Sequence, residues 1–353
     1  MKAAVLYEYS KPLIVEEIEI EEPGRGQVLV RTVATGVCHS DLFRAEGLNP
    51  TELPAVLGHE SAGIVERVGE GVTYVQPGDH VVMNFIPFCG VCRYCQTGRP
   101  VLCIQGRRIA QHLHKGAQRF NVIGTAAFAE RMLAPENGVV KVRRDAPLDK
   151  LSIMGCAVAS GVGAVLNTAR VEAGSSVAVI GLGGVGLSVV QGAALAAASR
   201  IIAIDILDRK LEMAQQFGAT HFVNAAKENP VKAVLELTDG GADYAFEVVG
   251  DPKTMSQAFD MVHVGGEAII LGVATIGSKT SIDARGLHSG KVLRGCVYGF
   301  VRQRVDIPRF IDLYMAGRLK LDELVTRTYP LEGINEALAA IKAGEVARGV
   351  IIF

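Results

Sequence analysis

The chain has 353 residues, 49% of them hydrophobic, and a formal net charge of −1 at pH 7. That length exceeds what one growing core serves well, so two domains are expected. Charge so near zero gives no sign of an electrostatic partner, so neither a nucleic acid nor an anionic membrane is expected. The stretch from Met1 to Glu8 lacks a signal-peptide h-region, so the sequence reads as cytoplasmic, in a compartment that keeps thiols reduced.

Residues 1–150 carry short, mostly apolar runs, among them Val28 to Val33, Ala62 to Val68 and His80 to Met83, separated by Gly, Pro and Asp. Such spacing predicts a compact β-rich domain. Within it stand Cys89, Cys92, Cys95 and Cys103, a C-x2-C-x2-C-x7-C run in a lobe of about residues 86–106. Zinc favours thiolate, and four Cys ligands leave no open position, so this site reads as structural. An iron–sulfur cluster also uses four cysteines. A disulfide framework belongs to short secreted chains instead. Three further soft ligands, Cys38, His59 and Cys156, suit a second zinc of the open, catalytic kind, which leaves Cys296 over. After Cys103 the residues Arg107, Arg108, Lys115 and Arg119 read as a solvated basic loop, with attraction of an anionic substrate as the alternative. His112 and His114 read as surface residues.

From Val177 to Ala198 the chain has no charge and is long enough for a transmembrane helix. Its glycines argue against one. Val177 to Ile180 reads as a buried parallel strand, followed by the turn Gly181-Leu182-Gly183-Gly184-Val185-Gly186 and an alanine-rich helix. A second strand, Arg200 to Ile204, ends in Asp205, 19 positions after the last glycine. In this order the glycines permit a sharp turn, close approach to a pyrophosphate and tight helix–strand packing, with phosphate at a helix N-terminus. Asp205 accepts hydrogen bonds from ribose hydroxyls and repels a 2′-phosphate, so NAD is favoured over NADP.

Helical patterns at Arg209 to Phe217 and Val231 to Thr238 then alternate with strands at His221 to Val223, Tyr244 to Val249 and Ala268 to Val273. Alternation of this kind predicts a doubly wound parallel sheet over residues 158–297. The tail adds helices at Val305 to Met315 and Ile334 to Ala343. A last strand, Val350 to Phe353, is expected to return to the first domain.

Over nearly its whole length the chain resembles the zinc-dependent medium-chain alcohol dehydrogenases. The likeness rests on Gly36-Val37-Cys38-His39-Ser40-Asp41, Gly58-His59-Glu60, the four-cysteine lobe, Gly155-Cys156 and the glycine turn with Asp205. The resemblance implies an α/β fold: a GroES-like β-rich catalytic domain over 1–157 and 298–353, and a Rossmann cofactor domain over 158–297. It also implies two zinc ions per chain, NAD, and a soluble homodimer or homotetramer.

The resemblance gives each residue a role. Cys38, His59 and Cys156 resemble the catalytic zinc ligands, with zinc as Lewis acid and hydride passing to NAD. Asp41 resembles the carboxylate that orients the histidine ligand, and Ser40 the hydroxyl that relays the alcohol's proton outward. Glu60 would pair with nearby cations, approach the zinc, or serve as a buried carboxylate. Lys210 resembles a ribose contact, and His39 and Arg348 pyrophosphate contacts. Phe43 stands where many members carry a relay histidine, and a phenyl ring carries no proton. Phe85, Val122 and Ile123 would line the substrate pocket, with Asn49 near its mouth. Apolar walls suit an aliphatic or aromatic alcohol or its aldehyde. An S-(hydroxymethyl)thiol dehydrogenase shares this fold and both zincs. A non-enzymatic zinc-binding module would leave the glycine turn, Asp205 and the second zinc set unexplained.

Overall fold

A computed structural model of the chain describes residues 1–106 and 112–353; Arg107 and Arg108 lie outside the described residues. Two compact units are present, one of Met1–Cys156 with Arg302–Phe353 and one of Ala157–Val301.

The first unit is built on two β-sheets. In the larger, Gln27–Val37 is flanked by antiparallel Glu60–Val68 and Arg348–Ile352, the strand closest to the chain's end. The pairings are Gly36 with Glu60 and Gly349 with Val37, so Cys38, Glu60 and Arg348 emerge together at one end of three adjacent strands. Outer strands His80–Met83, Val139–Lys141 and Val325–Tyr329 complete the path, with Arg131–Pro135 also on Gln27–Val37. Alternating apolar positions such as Val28, Val30, Val65, Val81 and Met83 are buried in one cluster, as a period of two demands of a half-buried sheet. The smaller sheet runs Ile14–Glu17, Lys2–Leu6, Ala55–Val56, Gln118–Val122, Leu113–Lys115 and Glu19–Ile20.

The second unit is a six-stranded, all-parallel sheet. Its spatial order is His221–Asn224, Arg200–Asp205, Ser176–Ile180, Ala242–Glu247, Val262–Ile270 and Val292–Gly295. Numbered by sequence this is 3-2-1-4-5-6, the dinucleotide-binding order, whose direction reverses between Ser176–Ile180 and Ala242–Glu247. Buried Ile180, Ile202, Ile204, Val223, Phe259 and Ala268 fill one face. The uncharged stretch after Val177 divides into strand, turn and the buried helix Gly184–Leu195; among the described residues no single helix is long and apolar enough to cross a membrane. One strand is longer than the sequence indicated. Val262–Ile270 starts directly after the helix Pro252–Met261, with a register shift near Gly265-Gly266.

Candidate metal centres and cofactor turn

Two groups of metal-ligand side chains occur among the described residues, and both lie in the first unit. In the four-cysteine lobe the Cys92–Cys95, Cys92–Cys103 and Cys89–Cys95 sulfurs are 3.5, 3.8 and 4.0 Å apart. A tetrahedron with zinc–sulfur bonds of about 2.3 Å has edges of about 3.8 Å, so the spacing fits a zinc ion. Backbone N–H groups point at the sulfurs: Cys89 and Gly106 donate to Cys103 at 3.3 and 3.2 Å, and Cys92 donates to Cys89 at 3.3 Å. Burial opposes the Cys103 thiolate, but these amides outweigh it and pull the thiol down to about 6. All seven cysteines are free, so no disulfide competes.

The second group is Cys38, His59, Glu60 and Cys156, every member buried, with ligand atoms all within 4.8 Å of one another. Cys38 caps the helix His39–Ala45, and its N–H donates to Asp41 Oδ2 at 3.1 Å. The other Asp41 oxygen meets His59 Nδ1 at 3.1 Å, which leaves Nε2 turned toward the thiols with Ser40 Oγ 3.3 Å away. Cys156 follows the 3-10 turn Ser152–Gly155. The hydrogen bond from Cys156 holds the Cys38 thiol well down, while the same bond and burial push Cys156 well up. Burial depresses His59, yet the attraction of Asp41 and its hydrogen bond leave the imidazole well above its ordinary value. Two buried thiols beside an imidazole whose Nδ1 is held by a carboxylate suit a divalent cation with two thiolate ligands and one neutral imidazole.

Glu60 is fully buried, and burial lifts it to about 7 against the pull of Arg348. A side chain on Gly36 would meet Glu60 Oε2 at 2.5 Å, so the glycine makes the room this carboxylate occupies. Arg348 Nη2 lies 3.3 Å from Glu60 Oε1, but neither Glu60 oxygen has an aligned hydrogen bond. Their contact is therefore charge attraction. Arg348 is 4% exposed and faces the carboxylate and the Cys38 cluster rather than solvent.

Phe85 meets His59 edge-on, ring centroids 5.4 Å apart. Val122 and Ile123 pack on different clusters, the first with Phe120, the second with Leu42 and Leu57. Asn49 follows the helix His39–Ala45, its N–H on the Phe43 carbonyl at 3.2 Å. Phe43 packs edge-on against His39 at 6.0 Å. Lys115 and Arg119 project from the hairpin of Leu113–Lys115 and Gln118–Val122 and are held by Glu16 and Glu21. His112 is corrected: it is 2% exposed, and its carbonyl accepts the Glu21 N–H at 3.0 Å. His114 is half-buried.

In the second unit the turn leaves the sheet at the reversal of strand order. Gly181 has φ +94°, a side chain on Gly186 would meet the Gly181 carbonyl at 1.8 Å, and Gly183 faces open space. Gly184, Val185 and Gly186 form the first turn of the helix. Asp205, 8% exposed, accepts the Leu182 N–H on one oxygen at 2.9 Å and those of Ile206 and Leu207 on the other at 2.8 and 3.2 Å. Lys210 Nζ is 3.5 Å from the same carboxylate. An open approach at Gly183, amides at a helix N-terminus and an acid at the next strand end fit a dinucleotide.

Known proteins share both units. The family "Alcohol dehydrogenase GroES-like domain" matches residues 24–144, and "Zinc-binding dehydrogenase" matches residues 184–315. S-(hydroxymethyl)glutathione dehydrogenase of Paracoccus denitrificans is 41% identical, over 100% of this chain and 99% of its own. Among solved structures, an alcohol dehydrogenase zinc-binding domain protein from Burkholderia ambifaria has a TM-score of 0.96 at 38% identity, covering 100% of this chain and 98% of its own. Benzyl alcohol dehydrogenase from Acinetobacter calcoaceticus has a TM-score of 0.94 at 36% identity, covering 100% and 99%. Fold and donor sets together define a zinc-binding dehydrogenase. The chain belongs to the zinc-dependent medium-chain alcohol dehydrogenase family.

Proposed function

We propose that the chain oxidises primary or secondary alcohols with NAD, and reduces the corresponding aldehydes or ketones. The observation that carries the reading is the buried convergence of Cys38, His59 and Cys156 within 4.8 Å, with Ser40 beside the His59 nitrogen. Cys38, His59 and Cys156 would hold one zinc, and Cys89, Cys92, Cys95 and Cys103 another. The zinc of the open set supplies Lewis acidity toward an alcohol oxygen. The chain's own residues do the rest. Asp41 fixes the direction of His59, Ser40 takes the alcohol proton, and Glu60 with Arg348 sets the charge behind the site. Phe43 carries no proton, so a route onward from Ser40 would need water, cofactor hydroxyls or another side chain, unless the relay matters less here.

NAD is favoured over NADP because Asp205 is a buried carboxylate at the strand end, where a 2′-phosphate would meet a like charge. Gly181, Gly183, Gly184, Val185 and Gly186 would cradle the pyrophosphate, with Lys210 at the ribose and His39 and Arg348 as further phosphate contacts. Seven free cysteines suit a reducing, cytoplasmic setting. A homodimer or homotetramer is the proposed assembly.

A second reading, oxidation of an S-(hydroxymethyl)thiol adduct, is favoured by the name of the Paracoccus denitrificans relative. The pairing of Lys115 and Arg119 with Glu16 and Glu21 weighs against those two as anion recruiters. A panel of alcohols and aldehydes with NAD, run in both directions and including formaldehyde with and without added thiol, tests both. Turnover of simple alcohols supports the first reading; formaldehyde oxidation that requires the thiol, with none for simple alcohols, supports the second. No turnover and no NAD binding would return the chain to the non-enzymatic alternative.

A further inference from the structure

Phe85 belongs to no strand or helix. It follows the strand His80–Met83 and precedes the four-cysteine lobe, where no ladder holds the backbone. Side-chain amides hold it instead. Asn84 is fully buried; its N–H donates to the Gly138 carbonyl at 2.8 Å, its Oδ1 accepts the Ile86 N–H at 3.1 Å, and its Nδ2 donates to the Ile86 carbonyl at 2.9 Å. The amide thus bridges over Phe85 and engages both backbone polar groups of the next residue, a local clasp of the kind that sets turns. Nδ2 also reaches the Asn137 carbonyl at 3.4 Å.

A second amide arrives from 217 positions away. Gln303, 1% exposed, donates Nε2 to the same Ile86 carbonyl at 3.2 Å, while its Oε1 has no hydrogen-bond partner. Burying two primary amides here, one of them incompletely bonded, costs free energy that apolar side chains of similar size would avoid. What the amides achieve is a fixed Phe85 backbone, and so a fixed ring against His59 at 5.4 Å and 69°. A molecule held by the metal beside His59 would meet that ring.

We propose that Asn84 and Gln303 are positioning residues for substrate specificity, locking the turn that aims Phe85 at the metal-binding pocket. This role rests on the alcohol dehydrogenase reading. With the clasp intact the ring presents one fixed wall that suits an aromatic alcohol; with the clasp cut the wall yields and discrimination falls.

The test compares kcat and KM for benzyl alcohol and ethanol, with NAD, in the zinc-loaded full chain and in Asn84→Leu and Gln303→Leu. Asn84→Leu should lower the benzyl-to-ethanol ratio of kcat/KM by about threefold to tenfold, as loss of fixed pocket contacts does, mainly through KM for benzyl alcohol. Gln303→Leu removes only the remote donor and should shift the ratio in the same direction by less, which keeps the test decisive if Asn84→Leu folds poorly. Zinc content and NADH dissociation constant should hold in both. Equal losses for the two alcohols, or an unchanged ratio in an active enzyme, overturn the positioning role while the enzyme reading stands. A wild-type chain that oxidises neither alcohol overturns the enzyme reading and this role with it.

Discussion

Asp41 grips His59 from behind: its Oδ1 lies 3.1 Å from His59 Nδ1, while its Oδ2 takes the Cys38 N–H at 3.1 Å. One carboxylate thereby fixes two of the three proposed ligands of the open zinc. Asp41→Ala should weaken that zinc by about 10-fold to 100-fold, the usual cost of losing a partner that orients a ligand. The four-cysteine zinc should be unaffected. Chelator competition, with zinc counted at each step, distinguishes the two sites; equal loss from both would remove the assigned role.

Asp205 has a double duty that sequence pattern alone did not reveal. Proposed as the ribose contact, it also ties the glycine turn to its own strand through Leu182, Ile206 and Leu207. Asp205→Gly should cost NAD binding about 1.5 to 3 kcal/mol, the range for hydrogen bonds to a charged group, and narrow the gap to NADP. Dissociation constants for both cofactors check this. An unchanged preference would show that another residue selects the cofactor.

Much of this arrangement was legible in the sequence because it depends on local spacing. Four cysteines within 15 positions close a site by themselves, and a glycine turn between a β-branched run and a helix announces its fold. Other features depend on distant partners and left no local signal. Gln303 reaches Ile86 across 217 positions, Arg348 meets Glu60 from two strands away, and buried His112 pairs with Glu21. The early start of Val262–Ile270 was masked by Gly265-Gly266, which marks a register shift.

His263 gives the second unit a pH signature. Its Nε2 is 3.0 Å from Asp243 Oδ1, and Asp243 Oδ2 accepts from Ser176. The hydrogen bond to Asp243 raises the imidazole, and its folded value lies above the ordinary 6.5. The stabilisation is thus fully present below about pH 6.5 and is lost as pH rises through the folded value. Burial opposes Asp243, but its hydrogen bonds to Ser176 and His263 depress it, so the acid limb is lost only below the usual carboxylate range. Thermal melts of wild type and His263→Asn should differ most near pH 5 to 6 and converge in alkali. The effect should be small because both side chains are more than a third exposed. A difference that grows with pH would contradict the pairing.

Ser40 Oγ lies 3.3 Å from His59 Nε2, at the head of the proposed proton route. Ser40→Ala should slow alcohol oxidation by about 10²-fold or more, the range for losing a general acid–base group. Phe43→His restores an imidazole and should raise the rate modestly, most near neutral pH. Steady-state rates across the pH range test both. Oxidation that survives Ser40→Ala intact would send the proton by another path.

The most direct measurement is zinc per chain, determined alongside NADH formation from NAD and an alcohol, in wild type and in Cys156→Ser. Two zinc ions and steady NADH formation are expected for wild type, and one zinc with no NADH formation in a folded Cys156→Ser chain. Full activity in protein holding one zinc would contradict the two-zinc reading, and undiminished activity in Cys156→Ser would contradict the assignment of Cys38, His59 and Cys156 as the catalytic metal site.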